Sequence, residues 1–199
     1  MKLFLYLLVI LNPFSQVVYL ADLMRELPPR EFARIHLKAS ALTFGVFGVF
    51  VLFGDRILTD YFQIRLASLQ IFGGLLMVVI AYRYITIGAG SNSLFRGDVS
   101  TFAATISIPY MVGAGTIWTS ILIGREYDWT RGFGIVAGVL AINLVFVTGV
   151  QRVVARASVN GGGTLEKYFS MLTRTNALFI GAVGVEMILR AIETTFLST

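Results

Sequence analysis

Long uncharged stretches alternate with short charged ones along the whole chain, and this alternation predicts its elements. Crossing the hydrocarbon core of a membrane takes about 20 mostly apolar residues. Six windows meet this requirement when long basic side chains at their ends reach the interface. These windows are Leu3–Ala21, His36–Phe53, Leu66–Tyr82, Thr101–Gly124, Gly132–Gln151 and Leu172–Ala191. The pattern therefore predicts an all-α membrane protein with six transmembrane helices.

The first and fourth windows share an interruption near their centres. Asn12 to Gln16 reads Asn-Pro-Phe-Ser-Gln, and Pro109 opens a stretch of small and polar residues that ends at Thr116. Proline lacks a backbone N–H and clashes with the preceding turn, which leaves carbonyls that hydrocarbon cannot satisfy. An ordinary kink is the alternative for either segment alone. Two interruptions in corresponding positions favour helices broken near the midplane around a functional cavity.

The third and sixth windows also resemble each other in the spacing of basic, apolar and glycine residues. The matched positions are Arg65, Leu69, Ile71 and Gly73 against Arg174, Leu178, Ile180 and Gly181. Together with the paired interruptions, this predicts one transmembrane domain built from two three-helix repeats, about residues 1–90 and 98–199. An odd number of spans in each repeat makes the second copy enter from the opposite face, as in inverted-repeat transporters.

Composition agrees with a membrane protein and narrows its chemistry. The chain is 56% hydrophobic and 14% charged, against about 25% charged in an ordinary soluble domain. Its 16 Lys and Arg outnumber 11 Asp and Glu, but they lie singly, which suits anionic lipid headgroups better than nucleic acid. With no Cys and one His, neither a thiolate nor a histidine metal site is expected, and no cofactor is implied.

The basic residues also predict an orientation. Ten of the 16 fall in or beside loops one, three and five. The positive-inside rule therefore places the two termini outside.

Three polar residues lie well inside predicted spans. Glu186 is a candidate for proton coupling because an intramembrane carboxylate is costly; the alternative is an ion pair with Arg190, four positions further along one helix face. Asn143, at the depth of Asn12, either lines the cavity or hydrogen-bonds another helix, and for Gln70 the second reading is favoured. His36 lies near a predicted helix end and is expected at the interface.

These observations define the candidate site. The backbone and small polar groups of both interruptions are expected to bind the charged ends of a substrate, with ion coupling at Glu186 or Asn143. The predicted substrate-binding residues are Asn12, Pro13, Ser15, Gln16, Pro109, Gly113, Gly115 and Thr116. No catalytic residue is predicted, because the spans hold no nucleophile with a base, metal cluster or carboxylate pair. Polar residues cluster at one depth, which favours an alternately exposed site over a channel.

The motifs resemble those of the MarC family of six-span membrane proteins, which is placed among the LysE-like transporters and includes members described as neutral amino acid transporters. The likeness rests on Leu11-Asn12-Pro13, the segment from Arg65 to Ala81, the segment from Ile108 to Ile117, and the segment from Val185 to Leu189. The chain departs from the family where Gly-Pro-Gly is common, since Ala114 replaces that proline. Glu186 replaces a common Gln, and Ser15 and Gln16 replace a Gly-Asn pair.

The resemblance implies a secondary active transporter of glycine, alanine or serine across a prokaryotic plasma membrane, coupled to protons or sodium. The alternatives are an exporter of another small metabolite and a structural or regulatory membrane protein without transport activity. The implied partners are the lipid bilayer and a small-molecule substrate, with a homo-oligomer left open.

Overall fold

The computed structural model describes residues 2–86, 111–157 and 163–196. Within these ranges every regular element is helical, and a π-helical turn over Ile57–Tyr61 prolongs the fourth helix. The helices are α1 (Lys2–Leu11), α2 (Pro13–Tyr19), α3 (Ala21–Glu26), α4 (Pro29–Arg56), α5 (Leu66–Thr86), α6 (Ala114–Glu126), α7 (Trp129–Ala157) and α8 (Gly163–Phe196). The all-α class is confirmed for this part of the chain.

Four helices of the described part are long and apolar enough to cross a membrane, namely α4, α5, α7 and α8. The first predicted span is a shorter apolar stretch, Lys2–Val17, and it is interrupted between α1 and α2 as predicted. The fourth window is described only from residue 111, where the chain leaves helical geometry at 112–113 and α6 follows. Pro109 lies outside the described residues.

The long helices extend beyond the windows drawn from hydropathy. α4 begins at Pro29, seven residues before the predicted start at His36, because a charge ends a hydropathy window but does not end helical hydrogen bonding. Arg30, Arg34 and Lys38 lie on the exposed face of its first turns. With 28 residues, α4 is about 42 Å long at 1.5 Å per residue, which exceeds a hydrocarbon core of about 30 Å.

His36, which is expected near a helix end at the interface, is covered by other parts of the protein. It is fully buried in the described structure, and its ring stacks on that of Phe32 with centroids 5.9 Å apart and an interplanar angle of 9°. Neither ring nitrogen has a hydrogen-bond partner among the described residues. Helix position alone could not reveal this, because burial depends on which face of α4 packs against α6 and α7.

Burial repeats along the chain at a spacing of 100 residues. Where both copies are described, positions 20–54 and 120–154 share nearly the same order of buried and exposed side chains. Each stretch runs from a short helix through a tight turn into a long helix, so α4 and α7 occupy matching places. A shared pattern of this length means that both long helices are packed by equivalent surroundings.

Contacts between the long and short helices repeat at the same spacing. The Val51 carbonyl of α4 lies where a side chain at Gly124 of α6 would be, so the two helices touch through backbone. One hundred residues away, Gln151 of α7 donates to the carbonyl of Met24 in α3 at 3.3 Å. The long helix of each half thus packs against the short helices of the other half.

The helices α5 and α8 cross at a pair of glycines. A Cβ placed on Gly184 would lie 2.6 Å from the carbonyl oxygen of Gly74, and a Cβ on Gly74 would meet the carbonyl oxygen of Gly184. Small residues allow such backbone approach between membrane helices. This reciprocal contact pairs Gly74 of α5 with Gly184 of α8, which is a spacing of 110 residues between equivalent positions of the two repeats. It therefore differs from the pairing of Gly73 with Gly181 that was taken from the sequence.

Other glycines of the long helices divide into two groups. Gly48, Gly138 and Gly181 are packed against side chains of other helices, with Phe133, Phe4 and Ala81 as their neighbours. Gly45 and Gly134 form the second group, because nothing among the described residues lies within 4 Å of a Cβ built there.

Asp128 caps the start of α7 outside the membrane-spanning segment. Its carboxylate accepts hydrogen bonds from the Thr130 hydroxyl and, at 3.4 Å, from the Arg131 backbone N–H. The Thr130 hydrogen bond, with help from Arg131, lowers the pKa of Asp128 below its usual value. A capping carboxylate of this kind stabilises the helix terminus.

We expect Asp128→Ala to lower the thermal midpoint at neutral pH by an amount that shrinks on acidification. Because the folded pKa of Asp128 is lowered, its contribution is present above the unfolded pKa and is lost as the pH falls through the folded pKa. Thermal unfolding in detergent between pH 3 and pH 7 measures this. Asp128→Asn keeps the cap without the charge and serves as the control. An Asp128→Ala deficit independent of pH would contradict the assignment.

Candidate functional site

The first helix break is shaped by Asn12 and Pro13. Asn12 has φ of 47°, a left-handed conformation that Asn adopts more readily than most residues. Pro13 then begins α2, where its missing N–H is tolerated. Because Pro13 has no N–H, the carbonyl of Val9 four residues earlier loses its helical donor. The Asn12 side chain accepts the N–H of Ser15 at 3.1 Å and so caps α2.

A third amide completes this side of the break. Asn176 of α8 donates to the Ser15 hydroxyl at 2.6 Å, and its carbonyl oxygen accepts the Asn12 amide at 3.3 Å. The triangle of Asn12, Ser15 and Asn176 therefore ties α8 to the break over more than 160 residues of sequence. Asn176 was not among the predicted site residues, although a lone amide one turn inside the sixth window was a signal.

On the other side of the break, Gln16 and Asn143 form a fully buried pair. Gln16 donates to the Leu11 carbonyl at 3.0 Å and accepts from the Asn143 amide at 3.0 Å. The Asn143 carbonyl oxygen has no hydrogen-bond partner among the described residues. A buried acceptor without a donor costs about 1–3 kcal/mol, so a hydrogen-bond donor or a cation that reached this oxygen would be stabilised by it. These five residues, Asn12, Ser15, Gln16, Asn143 and Asn176, are called the amide cluster below.

The second break repeats the same backbone contacts with smaller side chains. Thr116 donates to the Met111 carbonyl at 3.0 Å, which matches the bond from Gln16 to Leu11 one hundred residues earlier. Gly113 donates its N–H to the Thr116 hydroxyl at 2.9 Å. Thr43 of α4 contacts the Met111 sulfur at 3.3 Å, in the place that Asn143 of α7 occupies at the first break. The two breaks are thus equivalent in position and unequal in polarity.

The two breaks are neighbours in the fold. A Cβ built on Gly115 would lie 3.1 Å from the Ile10 side chain of α1 and 3.2 Å from Met187 of α8. Of the predicted substrate-binding set, Gly115 is buried against α1 and α8, Thr116 is buried next to it, and Pro13 is buried within the first break. The structure therefore brings Gly115 of the second break against α1, whereas no described atom lies within 4 Å of a Cβ built on Gly113.

Glu186 lies apart from this cluster. Its side chain is about half exposed, and Oε1 accepts from Arg190 Nε at 2.6 Å. Arg190 in turn lies over the Tyr6 ring, 5.8 Å from its centroid. This is the pairing along one helix face that the sequence allowed as the alternative to ion coupling.

Comparison with known proteins places this arrangement in a family. The sequence pattern of MarC family integral membrane proteins matches residues 1–196. The chain belongs to the MarC family. The MarC match covers both breaks and all helices described above.

Curated MarC relatives are similar over nearly their whole length. A UPF0056 membrane protein of Aquifex aeolicus is 29% identical, with 96% of this chain and 91% of the relative covered. The UPF0056 inner membrane protein YhgN of Escherichia coli is 24% identical, with 94% and 92% covered. The UPF0056 membrane protein YvbG of Bacillus subtilis is 26% identical, with 93% and 90% covered. No solved structure matches the chain.

The buried pair at the first break of this MarC protein gives a stability prediction. We expect Asn143→Leu and Gln16→Leu each to destabilise the fold by about 1–3 kcal/mol, because each leaves a buried polar partner unpaired. The double variant should lose less than the sum, with a coupling of roughly 0.5–1.5 kcal/mol. Denaturation midpoints in detergent measure the cycle.

Thr148→Val is the matched control for this cycle. Its hydroxyl donates to the Leu144 carbonyl of its own helix at 2.6 Å and has no bond to Gln16. Thr148→Val and Gln16→Leu should therefore be additive. If the Gln16 and Asn143 variants were equally additive, the pair would not be coupled in solution.

Proposed function

We propose that this MarC protein is a secondary active transporter that moves a small neutral solute across the inner membrane of its bacterium by alternating access. The observation that carries the proposal is the amide cluster. Five polar side chains converge at a helix break, inside a bundle whose long helices are apolar enough to cross a membrane. Polar groups at such depth are costly and mark solute pathways, and broken helices are how transporters place them there.

The repeated contacts support two inverted repeats. Each repeat would contain one broken helix and two long ones, and three spans in a repeat require the second copy to cross in the opposite direction. One long helix of each repeat contacts the break of the other repeat. Asn143 of α7 bonds to Gln16 at the first break, and Thr43 of α4 contacts Met111 at the second. A rocking motion of one repeat against the other would therefore act on both breaks at once. The positive-inside rule places the termini outside.

The site would bind its solute mainly at the first break. Asn12, Ser15 and Gln16 would supply amide and hydroxyl groups there, and the second break would contribute Gly115 and Thr116. Neutral amino acids are the first candidates, and the family resemblance gives glycine, alanine and serine as examples. Transport is favoured over catalysis because the cluster holds hydrogen-bonding amides and a hydroxyl but no nucleophile with an adjacent base.

Ion coupling is best assigned to Asn143. Its unpartnered carbonyl oxygen is fully buried beside Gln16, and carbonyl and amide oxygens are ligands for hard cations. Glu186 is less suited, because its charge is already balanced by Arg190 on an exposed helix face. Sodium would therefore be the coupling ion in preference to protons.

Uptake of radiolabelled glycine and alanine into proteoliposomes tests the proposal. We expect accumulation driven by an imposed sodium gradient, with a proton gradient as the comparison and protein-free liposomes as the blank. Accumulation under a proton gradient alone would keep the transporter and remove Asn143 as the coupling site. No uptake of any neutral amino acid under either gradient would overturn the proposed function.

A further inference from the structure

A crevice of about 760 Å³ lies beside the amide cluster, between α1, α2, α7 and α8. At one end it is bounded by Asn12 and Asn176, which also belong to the cluster. Apart from Thr175, the other side chains that line it are apolar. They include Leu8, Phe14, Val17, Phe146, Phe179 and Val183. The amides therefore form the polar end of a largely apolar cavity.

The lining limits the charge and the size of an occupant. None of the crevice-lining residues carries a charge, so a net-charged solute would lose its hydration without a counterion. The crevice is partly open, and its volume of about 760 Å³ is large enough to admit an aliphatic or aromatic side chain. A solute without a side chain would leave most of the apolar surface uncovered.

The crevice is created by residue size. At the second break, a Cβ on Gly73 of α5 would lie 2.8 Å from the Ala114 Cβ and 3.0 Å from the Gly115 nitrogen, so α5 and α6 touch there. At the first break the corresponding positions, 110 and 100 residues away, hold Val183 and Phe14. Both of these larger side chains line the crevice, which lies beside the contact that Ser15 of α2 makes with Asn176 of α8.

We propose that the crevice binds the apolar side chain of the transported solute while Asn12 and Asn176 bind its polar end. The preferred substrates are then net-neutral solutes with an aliphatic or aromatic body, of the size of leucine or phenylalanine, ahead of glycine. This inference rests on the proposed function, because it names the substrate class of the same site. Asn176, whose repeat counterpart is Leu66, is the residue that fixes the polar end.

Direct binding of radiolabelled ligands to the full chain in lipid nanodiscs tests the crevice assignment. The probes are tritiated leucine and tritiated glycine, measured on the wild type, on Val183→Trp and on Val185→Trp. Val183 lines the crevice, whereas Val185 lies two positions along α8 on its exposed face. We expect Val183→Trp to weaken leucine binding at least about tenfold, the effect of 1.4 kcal/mol, and to change glycine binding less than about twofold. Val185→Trp should change neither.

The outcomes distinguish a failure of the crevice assignment from a failure of the proposed transport function. Glycine binding without leucine binding by the wild type overturns the crevice assignment and leaves the proposed function standing. Binding of neither overturns both. Leucine binding insensitive to Val183→Trp means that leucine binds outside the crevice. Equal loss of both ligands means that Val183→Trp damages the polar site. Either result overturns the assignment.

A second variant tests the same idea in the opposite direction. Phe179 lines the crevice and is largely exposed, so Phe179→Ala should enlarge it with little effect on the core. We expect tryptophan to gain at least about threefold in binding relative to leucine in this variant. An unchanged ratio would contradict a side-chain site.

Discussion

Replacing Asn12 or Gly115 with leucine abolishes uptake while membrane insertion persists, if the two breaks form the transport site. Asn12→Leu removes both the amide that reaches Asn176 and the acceptor for the Ser15 N–H. Gly115→Leu forces a side chain into a space where Ile10 and Met187 already lie within 3.2 Å of a built Cβ. Loss of a hydrogen bond to a solute in a buried site costs about 1–3 kcal/mol, so uptake should fall between about fivefold and more than about a hundredfold.

Matched variants separate a lost site from a lost fold. Asn12→Gly accepts φ of 47° without strain yet lacks the amide, so it should insert normally and transport as poorly as Asn12→Leu. Gly45→Leu places the same bulk on α4 where no described atom lies within 4 Å, and it should transport normally. Gel filtration of each variant reports folding. Wild-type uptake by both Asn12→Leu and Gly115→Leu would remove the site from the breaks.

Gly74→Leu is expected to prevent stable assembly of the bundle. A side chain at Gly74 would occupy the position of the Gly184 carbonyl of α8, so the crossing helices must separate along their length. Overpacking a core costs about 1–3 kcal/mol when side chains can give way, and a backbone contact cannot give way without moving a helix. We expect a thermal midpoint lowered by more than about 10 °C, or no monodisperse protein.

The control for this prediction is Gly134→Leu on α7. Nothing in the described structure lies within 4 Å of a Cβ built on Gly134, so the same substitution should leave the thermal midpoint within a few degrees. Fluorescence-detected gel filtration after heating measures both variants. A Gly74→Leu protein as stable as Gly134→Leu would mean that α5 and α8 do not cross at these glycines.

The sequence was sufficient to predict the first break and four spans that the described part of the chain confirms. Charge separates the apolar stretches, and Asn12 with Pro13 is a local signal, because proline acts on the turn that precedes it. Helix lengths were underestimated, since α4 and α7 carry charged residues on exposed faces without ending. The match of Arg65 with Arg174 was drawn from spacing alone, whereas the register of α5 and α8 is set by the contact of Gly74 with Gly184.

The candidate site was predictable in part. Asn12 and Asn143 were linked by their similar depth, and the structure joins Asn143 to Gln16 within the same cluster. The role of Asn176 was not predicted, because its partners are more than 160 residues away and a single amide forms no sequence pattern that indicates its contacts. The burial of His36 was not predicted for a related reason. Periodicity shows which helix positions share a face but not which element covers that face.

The unequal polarity of the two breaks has an energetic consequence. If two identical inverted repeats exchanged conformations, the states facing the two sides of the membrane would have equal free energy and equal population. In this chain the first break holds the Gln16–Asn143 bond, and the second holds the weaker contact of Thr43 with Met111. If this hydrogen bond is stronger in one of the two states than in the other, the free energies of the states differ by about 1 kcal/mol. Their populations then differ roughly fivefold. The empty protein would therefore rest facing one side, and the amides at the first break would set that preference.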